Sequence, residues 1–405
     1  MKRRDILKKL SLLPLAGGVA GLYPFQSKAS PVPIPPASRD LFKELGIRTF
    51  INAAGTYTFM TGSLMHDIVT DTIKTASKEF CLLDEAQDKV GAKIAAMTHA
   101  EAAVVTAGAF SGLTLGLAGI LTGTDVNKVK ALPHLEGTGM KSEVICQKAH
   151  DIDYNHAFMN TGCKIVTVET VEELEKAINE KTALMHFLNI NADKGKIMHE
   201  EWVALGKKHG IPTSNDIAAD VPPVSNLWKF NDMGFDFVVI SGGKAMKGPQ
   251  SAGLLMGKKY IIEGARVHMP PRGFNIGRGM KVNKEEVLGM YVALEHYINY
   301  DHDKEWKVWE DNIAVIEKAA KSVNGVNTRI FVPPLGNITP TLELTWSKET
   351  VKAKDIQDKL RAGSPSIEVM NHDDKTIHIT VWVMKQGEEK IVAKRLKEEL
   401  TSLMA

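Results

Sequence analysis

The sequence predicts an α/β protein: a large domain on a mainly parallel sheet, followed by a small C-terminal α+β domain. Three observations carry that prediction. Short apolar runs rich in Val, Ile and Leu alternate with stretches of helical period through the middle of the chain. One such run, 236–240, leads into a glycine-rich turn and another short segment, 211–216, ends in an aspartate, both at predicted strand ends where open parallel sheets carry ligand sites. Beyond about residue 301 the pattern changes to one long charged helix followed by short strands. The 405 residues are enough for two domains.

The elements follow in order. Lys2-Arg3-Arg4-Asp5-Ile6-Leu7-Lys8 is a basic opening, residues 10–22 are modestly apolar, and Ser27-Lys28-Ala29 offers a small-x-small cleavage site. Residues 1–29 are therefore read as a signal segment, too short for a transmembrane span of about 20 apolar residues. The consecutive arginines make it resemble a twin-arginine signal, which implies export of the folded protein, to the periplasm. Prolines at 31, 33, 35 and 36 make residues 30–37 a stiff linker. The large domain is expected over residues 38–300, with helices at 65–80, 86–97, 109–121, 171–179 and 200–209. Its strands are expected at 144–147, 164–168, 183–188, 211–216, 236–240 and 252–256. A loop at 270–280 and a bridging helix at 284–300 lead to the small domain, 301–405. That domain has a helix at 305–322, strands near Thr328, Thr341 and Ile377, and a terminal helix from Glu388.

Composition excludes several classes. Fifty basic residues against 48 acidic ones leave a formal charge of +2, without the basic excess of a dedicated nucleic-acid binder. Cys81, Cys146 and Cys163 form no Cys-x-x-Cys pair, so neither a zinc site nor a disulfide framework is expected. No His-x-x-His or His-Glu-x-x-His spacing points to a catalytic metal. A nucleotide site is disfavoured by the lack of a Walker lysine and of Gly-x-Gly-x-x-Gly.

The residues that carry chemistry cluster at predicted strand ends. Ser241-Gly242-Gly243-Lys244 follows the apolar run at 236–240, and its glycines allow a tight turn and close approach of a ligand. A lysine held this way is placed to form a Schiff base. Some 28 residues earlier, the segment 211–216 ends in Asp216. Beside a cationic ring this carboxylate stays ionised, because the opposite charge offsets its desolvation. The pair suits pyridoxal 5'-phosphate (PLP): the aspartate keeps the pyridine nitrogen protonated and the lysine binds the aldehyde. Asp220 competes with Asp216 but lies farther from the strand end. Ala107, Gly108 and Ala109 sit in a small-residue turn that opens an apolar helix, where backbone N–H groups accept a phosphate. Ser241 is the expected hydroxyl donor to the same phosphate. His150, after the strand at 144–147, is the candidate for stacking on the ring, with His156 as the fallback. Arg272 and Arg278 are candidate grips for a substrate carboxylate. The plain alternatives are a surface lysine, an N-cap aspartate, a structural histidine and solvated arginines.

These segments also carry a resemblance. Ile51-Asn52-Ala53-Ala54-Gly55-Thr56, the run from Glu101 to Gly108, the Asp216 segment, Ser241-Gly242-Gly243-Lys244 through Gly248-Pro249-Gln250, and the stretch from Gly277 to Glu286 occur in that order. Together they resemble the fold type I PLP enzymes related to selenocysteine synthase (L-seryl-tRNA selenium transferase), and the D-glucosaminate-6-phosphate ammonia-lyase-like group within them. The resemblance spans roughly residues 40–400. It implies a fold type I PLP-transferase large domain, Lys244 as the Schiff-base lysine, Asp216 as the pyridinium partner, His150 near the ring and Gly108 in the phosphate cup. It further implies a homodimer or higher homo-oligomer with interface active sites, where Gly248-Pro249-Gln250 reaches a neighbouring subunit's cofactor.

The expected reaction begins when a substrate amine displaces Lys244, which then moves the proton at Cα. The first expectation is α,β-elimination with release of ammonia from an amino acid or amino-sugar acid. Racemisation, transamination and aldol cleavage are the alternatives; from another class, the chain is an exported binding protein that has lost turnover. The leader occupies the place of the RNA-binding domain of tRNA-using relatives, so a small-molecule amine is expected rather than a nucleic acid. Specificity is expected in the loop 270–280, in the segment 52–60, and in the small domain.

Overall fold

The computed structural model describes residues 39–405; the signal segment and linker read from the sequence lie outside them. Residues 39–49 hold one short helix, Leu41–Glu44, whose first turn is capped by the Asp40 side chain. Phe50–Ala405 form a second unit. Its first eight strands are β1 (Phe50–Asn52), β2 (Ala102–Thr106), β3 (Glu143–Gln147), β4 (Lys164–Val168), β5 (Thr182–Leu188), β6 (Thr213–Asp216), β7 (Phe237–Ser241) and β8 (Gly253–Gly257). Toward the C-terminus follow β9 (Val326–Phe331), β10 (Thr341–Trp346), β11 (Ser366–Glu368), β12 (Met370–Asp373) and β13 (Thr376–Thr380).

The large sheet has the order β2-β8-β7-β6-β5-β3-β4. Strands β7, β6, β5, β3 and β4 pair in parallel, and β8 alone runs against both of its neighbours. Every residue of β5 is buried, as are the first four of β7. This is why β7 reads as an apolar run and residues 183–188 of β5 as one broken only by His186: a parallel sheet is covered on both faces. The small sheet, β12-β13-β10-β9, is antiparallel throughout. In sequence order β1 belongs with the large sheet. In the fold it pairs in parallel with β11, and Ala53 O accepts the Thr380 N–H at 2.9 Å.

On one face of the large sheet lies the helix Gly108–Thr122, apolar and buried almost all round. Its glycines explain how closely it packs. A Cβ on Gly116 would come 2.9 Å from the Phe237 ring, and one on Gly119 would come 2.5 Å from Ile261 O. The helix therefore sits backbone-close on β7 and on the helix Lys259–Val267. On the opposite face, Phe187, Trp202, Phe230 and Phe235 pack among Val, Ile and Leu side chains. The expected helices are present with ends moved by a few residues: Asp67–Ala76 replaces 65–80, and His302–Lys321 replaces 305–322. Among the described residues six helices were not expected: Leu41–Glu44, Val126–Ala131, His156–Met159, Asn226–Met233, Lys259–Val267 and Ala353–Ala362. Among the described residues no helix is long and apolar enough to cross a membrane.

Candidate active site

Strands β6 and β7 are adjacent and parallel, with Asp216 in register with Val239. The end of β6 and the turn after β7 therefore open at the same edge, the carboxyl edge of the parallel strands. Asp216 ends β6 at 6% exposure, and its Oδ1 accepts the Ala218 N–H at 2.8 Å. Backbone bonds close the turn after β7. Gly242 N–H donates to Ala252 O and Gly248 N–H to Gly242 O, both at 2.9 Å, while Lys247 N–H donates to Lys244 O at 3.0 Å. The two glycines of the turn have no room for side chains. A Cβ on Gly242 would lie 2.3 Å from Met290 Sδ, and one on Gly243 would lie 2.4 Å from Gln250 Cα. Their absence lets the helix Lys284–Ile298 and residue 250 close on the turn, which fixes the backbone that presents Lys244.

Lys244 lines a cavity of about 310 Å³ together with Thr56, Thr58, Gly62, Ser241 and Gln250. Burial lowers its pKa below the ordinary 10.5, against the opposing pull of Asp216 and Asp220. Burial also raises Asp216, which Ala218 N–H and the Lys244 charge partly offset. Asp220, 1% exposed, is pushed up to about 6 by burial, against a hydrogen bond from Asn189 and with the nearby Asp216 charge adding to the rise. One amine and two carboxylates thus meet in low dielectric, displaced from their usual protonation ranges, as proton-transferring sites require.

The residues present fit PLP. The helix Gly108–Thr122 starts without a side-chain cap, so its first N–H groups are open to an anion. Gly108 takes the left-handed φ of +82°, and a Cβ on Gly253 would lie 2.8 Å from Ala109 N, so β8 presses directly against this turn. The N–H groups of Gly108 and Ala109 and the Ser241 hydroxyl would hold the phosphate, Asp216 the ring nitrogen and Lys244 the aldehyde. Thr56 Oγ1, buried beside the cavity without a partner, is available to a bound group. Among the described residues no cluster of His, Cys, Asp or Glu has the arrangement of a metal site.

Several sequence candidates have other roles. His150 is fully buried and meets Phe187 edge-on at 4.4 Å. Its Nδ1 accepts the Leu188 N–H at 3.3 Å and its Nε2 lies 3.2 Å from Asn191 O, so it is a satisfied core histidine with no free face for a ring. Burial pushes its pKa down to about 4. The fallback, His156, is exposed at the start of the helix His156–Met159. Arg272 forms a bidentate pair with Asp84, at 3.1 and 3.2 Å, so its guanidinium is already spent. Arg278 is exposed and does not line the cavity. The Asn52 side chain shapes its own turn: Oδ1 accepts from Ala54 N and Gly55 N at 2.9 and 3.0 Å, and Nδ2 donates to Gly55 O. Ala107 is the N-cap of the Gly108–Thr122 helix. Gln250 lines its own chain's cavity and lies against the backbone of residues 58–62.

Sequence reasoning placed Thr58 only within the segment 52–60, and missed Gly62 and Asn189. Gly62 had no motif to mark it; its reason is contact, since a Cβ there would lie 2.6 Å from Gly243 O.

Comparison with known proteins agrees with this geometry. The model of the aminotransferase class-V family matches residues 165–275, the span that contains Asp216 and Lys244. D-glucosaminate-6-phosphate ammonia lyase of Salmonella typhimurium is 26% identical over 377 residues, covering 89% of this chain and 97% of that enzyme. A 5'-C-glycyluridine monooxygenase-decarboxylase of Streptomyces sp is 25% identical over 89% of this chain and 92% of its own length. The L-seryl-tRNA(Sec) selenium transferase of Aquifex aeolicus is 26% identical over 57% of this chain and 56% of its own. A solved structure of D-glucosaminate-6-phosphate ammonia-lyase superposes with a TM-score of 0.78 at 25% identity, over 91% of this chain and all of that one. With Lys244 and Asp216 at adjacent strand ends of this sheet, the chain has the fold of the fold type I PLP-dependent enzymes and is similar to D-glucosaminate-6-phosphate ammonia lyase and, over part of its length, to the L-seryl-tRNA(Sec) selenium transferases.

Proposed function

We propose that the protein is a PLP-dependent lyase that releases ammonia, through elimination of the β-hydroxyl, from an amino acid or amino-sugar acid. The observation that carries this reading is the buried Lys244 amine, whose pKa is lowered by burial while Asp216 and Asp220 stand nearby. Bound PLP supplies an aldehyde that captures amines and a protonated ring that takes up electrons from the substrate carbon.

The chain's own groups account for the remaining steps. A lowered pKa leaves more of Lys244 unprotonated near neutral pH, so its Nζ can accept the Cα proton. The β-hydroxyl then leaves as water with the proton returned by Lys244 Nζ, and addition of one water to the released enamine gives a keto acid and ammonium. The anionic Asp216 holds the ring nitrogen in its cationic form. The similarity to an ammonia lyase over nearly the full length of both chains supports elimination as the outcome.

Candidate amino acids and amino-sugar acids, incubated with the enzyme in deuterated water, discriminate the outcomes. The expected products are ammonia and a keto acid. Deuterium at Cα with scrambled chirality and no ammonia would overturn the lyase reading in favour of a racemase.

The reading extends to location. The basic, arginine-paired opening and the small-x-small site at 27–29 support export of the folded, cofactor-loaded protein to the periplasm. Lysines in place of both Arg3 and Arg4 are expected to retain the protein in the cytoplasm, as fractionation would show. Undiminished export would refute the twin-arginine signal.

A further inference from the structure

Asp220 has no part in the reaction described, yet it is buried beside Asp216 and Lys244. Its Oδ1 accepts the Gly336 N–H at 3.1 Å, and its carboxylate takes a further hydrogen bond from the Asn189 side chain. Its main-chain oxygen accepts Asn226 Nδ2 at 2.6 Å. One residue earlier, Ala219 O accepts the Asn337 N–H, also at 2.6 Å. Two amides of one loop are thus bound to two consecutive residues just beyond the end of β6.

That loop, residues 332–340, joins β9 to β10 and so belongs to the antiparallel sheet. Gly336 and Asn337 both take the left-handed conformation, at φ +61° and +45°, and both of their N–H groups bond to residues 219 and 220. Gly336 is required for a second reason, since a Cβ there would lie 2.5 Å from Ile190 Cδ1. The neighbouring segment is fixed in turn. His199 Nε2 lies 2.7 Å from Asn189 Oδ1, and burial holds the pKa of this ring down to about 4. At neutral pH the uncharged ring donates through Nε2, which leaves the Asn189 amide nitrogen to donate to Asp220. A line of hydrogen bonds therefore runs from the core to Asp220 and on to the loop. With its carboxylate engaged by Gly336 and Asn189, Asp220 leaves the ring nitrogen to Asp216.

We propose that Asp220 is a positioning residue: it fastens loop 332–340 to the strand end beside Asp216 and Lys244, so that the antiparallel sheet meets the pocket in one fixed place. The link to turnover rests on the PLP reading; the fastening itself rests on geometry alone. The charged groups facing Asp220 are Asp216 and Lys244, and its neutral polar neighbours are Asn189, Asn226 and the Gly336 amide.

Amide hydrogen exchange on the full chain, with and without PLP, tests the fastening. In the wild type, the Gly336 and Asn337 amides should exchange about tenfold or more slowly than those of Leu335 and Ile338, as one buried hydrogen bond each predicts. In D220A, Gly336 should lose about tenfold of that protection while the β7 amides stay protected, and D220N, which keeps an oxygen acceptor, should restore most of it. Turnover supplies a second readout: in D220A, KM should rise more than kcat falls, and D220N should reverse the rise. The proposal is overturned if Gly336 exchanges as fast as Leu335 in the wild type, if D220A leaves it protected, or if D220N behaves as D220A does. Should D220A not fold, the wild-type comparison decides. A wild type that shows this exchange pattern but never acquires the absorbance of lysine-bound PLP would refute the cofactor reading and leave the fastening standing.

Discussion

Replacing Lys244 with alanine should yield a folded protein that stays colourless when loaded with PLP, whereas the wild type absorbs at about 410–430 nm. The band comes from PLP joined to a lysine amine, and Lys244 is the lysine that shares the cavity with Ser241 and Thr56. Turnover should fall by at least 10²–10⁴-fold, the usual worth of a positioned acid–base group, and further because the covalent anchor is lost as well. The substitution removes a partly buried amine and leaves the turn intact, because the backbone bonds at Gly242 and Gly248 do not involve the side chain. Thermal stability should therefore hold. An alanine variant that keeps its colour would place the reactive lysine elsewhere and end the assignment.

The Asp216→Asn variant should have the second largest effect, and in two opposite directions. In the loaded enzyme it breaks a buried pair between carboxylate and ring cation, worth about 3–5 kcal/mol, or roughly 10²–10⁴-fold in rate if the whole of it is felt in the transition state. In the cofactor-free protein the sign reverses. Burial raises the Asp216 pKa, so the folded state holds this proton more tightly than the unfolded chain does. Its contribution to stability is then fullest below the unfolded value of 3.8 and is lost as pH rises through the folded value. At neutral pH, above the unfolded value, the free protein therefore bears a penalty at this buried carboxyl that asparagine does not have. Cofactor-free Asp216→Asn should thus be at least as stable as the wild type at pH 7, while gaining much less melting temperature from PLP. Equal gains in the two proteins would show that Asp216 does not face the ring.

Much of the fold was legible because burial writes itself into strands. β7 reads as an apolar run, and residues 183–188 of β5 as one broken only by His186, for the same reason that they lie inside a covered sheet. The placement of Lys244 and Asp216 was legible because an apolar run leads into the turn that carries Lys244 and a helix of readable period, 200–209, feeds the strand that ends at Asp216. The side chains around them were less so. His150 stands at the right strand end for a stacking ring, but the decisive facts are the Leu188 amide and the Asn191 carbonyl, 38 and 41 residues further along the chain. Arg272 sits in a loop rich in glycine and proline, which suggested a free arginine; its partner, Asp84, is 188 residues away. Asn52 was misread by a different route. A short amide side chain beside Ala-Ala-Gly folds onto its own backbone before it can reach a ligand. The role of Asp220 was hidden because Gly336 comes from the other sheet, 116 residues later.

The pairing of β1 with β11 has a consequence for how the chain is made. Phe50 is synthesised early, and its partner Ser366 emerges 316 residues later. At roughly 5–20 residues per second, β1 waits about 16–63 s on the ribosome for the strand that completes it. Thr56, which lines the Lys244 cavity, follows directly on this strand, and Ala53 is tied to Thr380 as well. The cavity is therefore finished only when translation is nearly over, and PLP can be captured only by a chain that has left, or is about to leave, the ribosome.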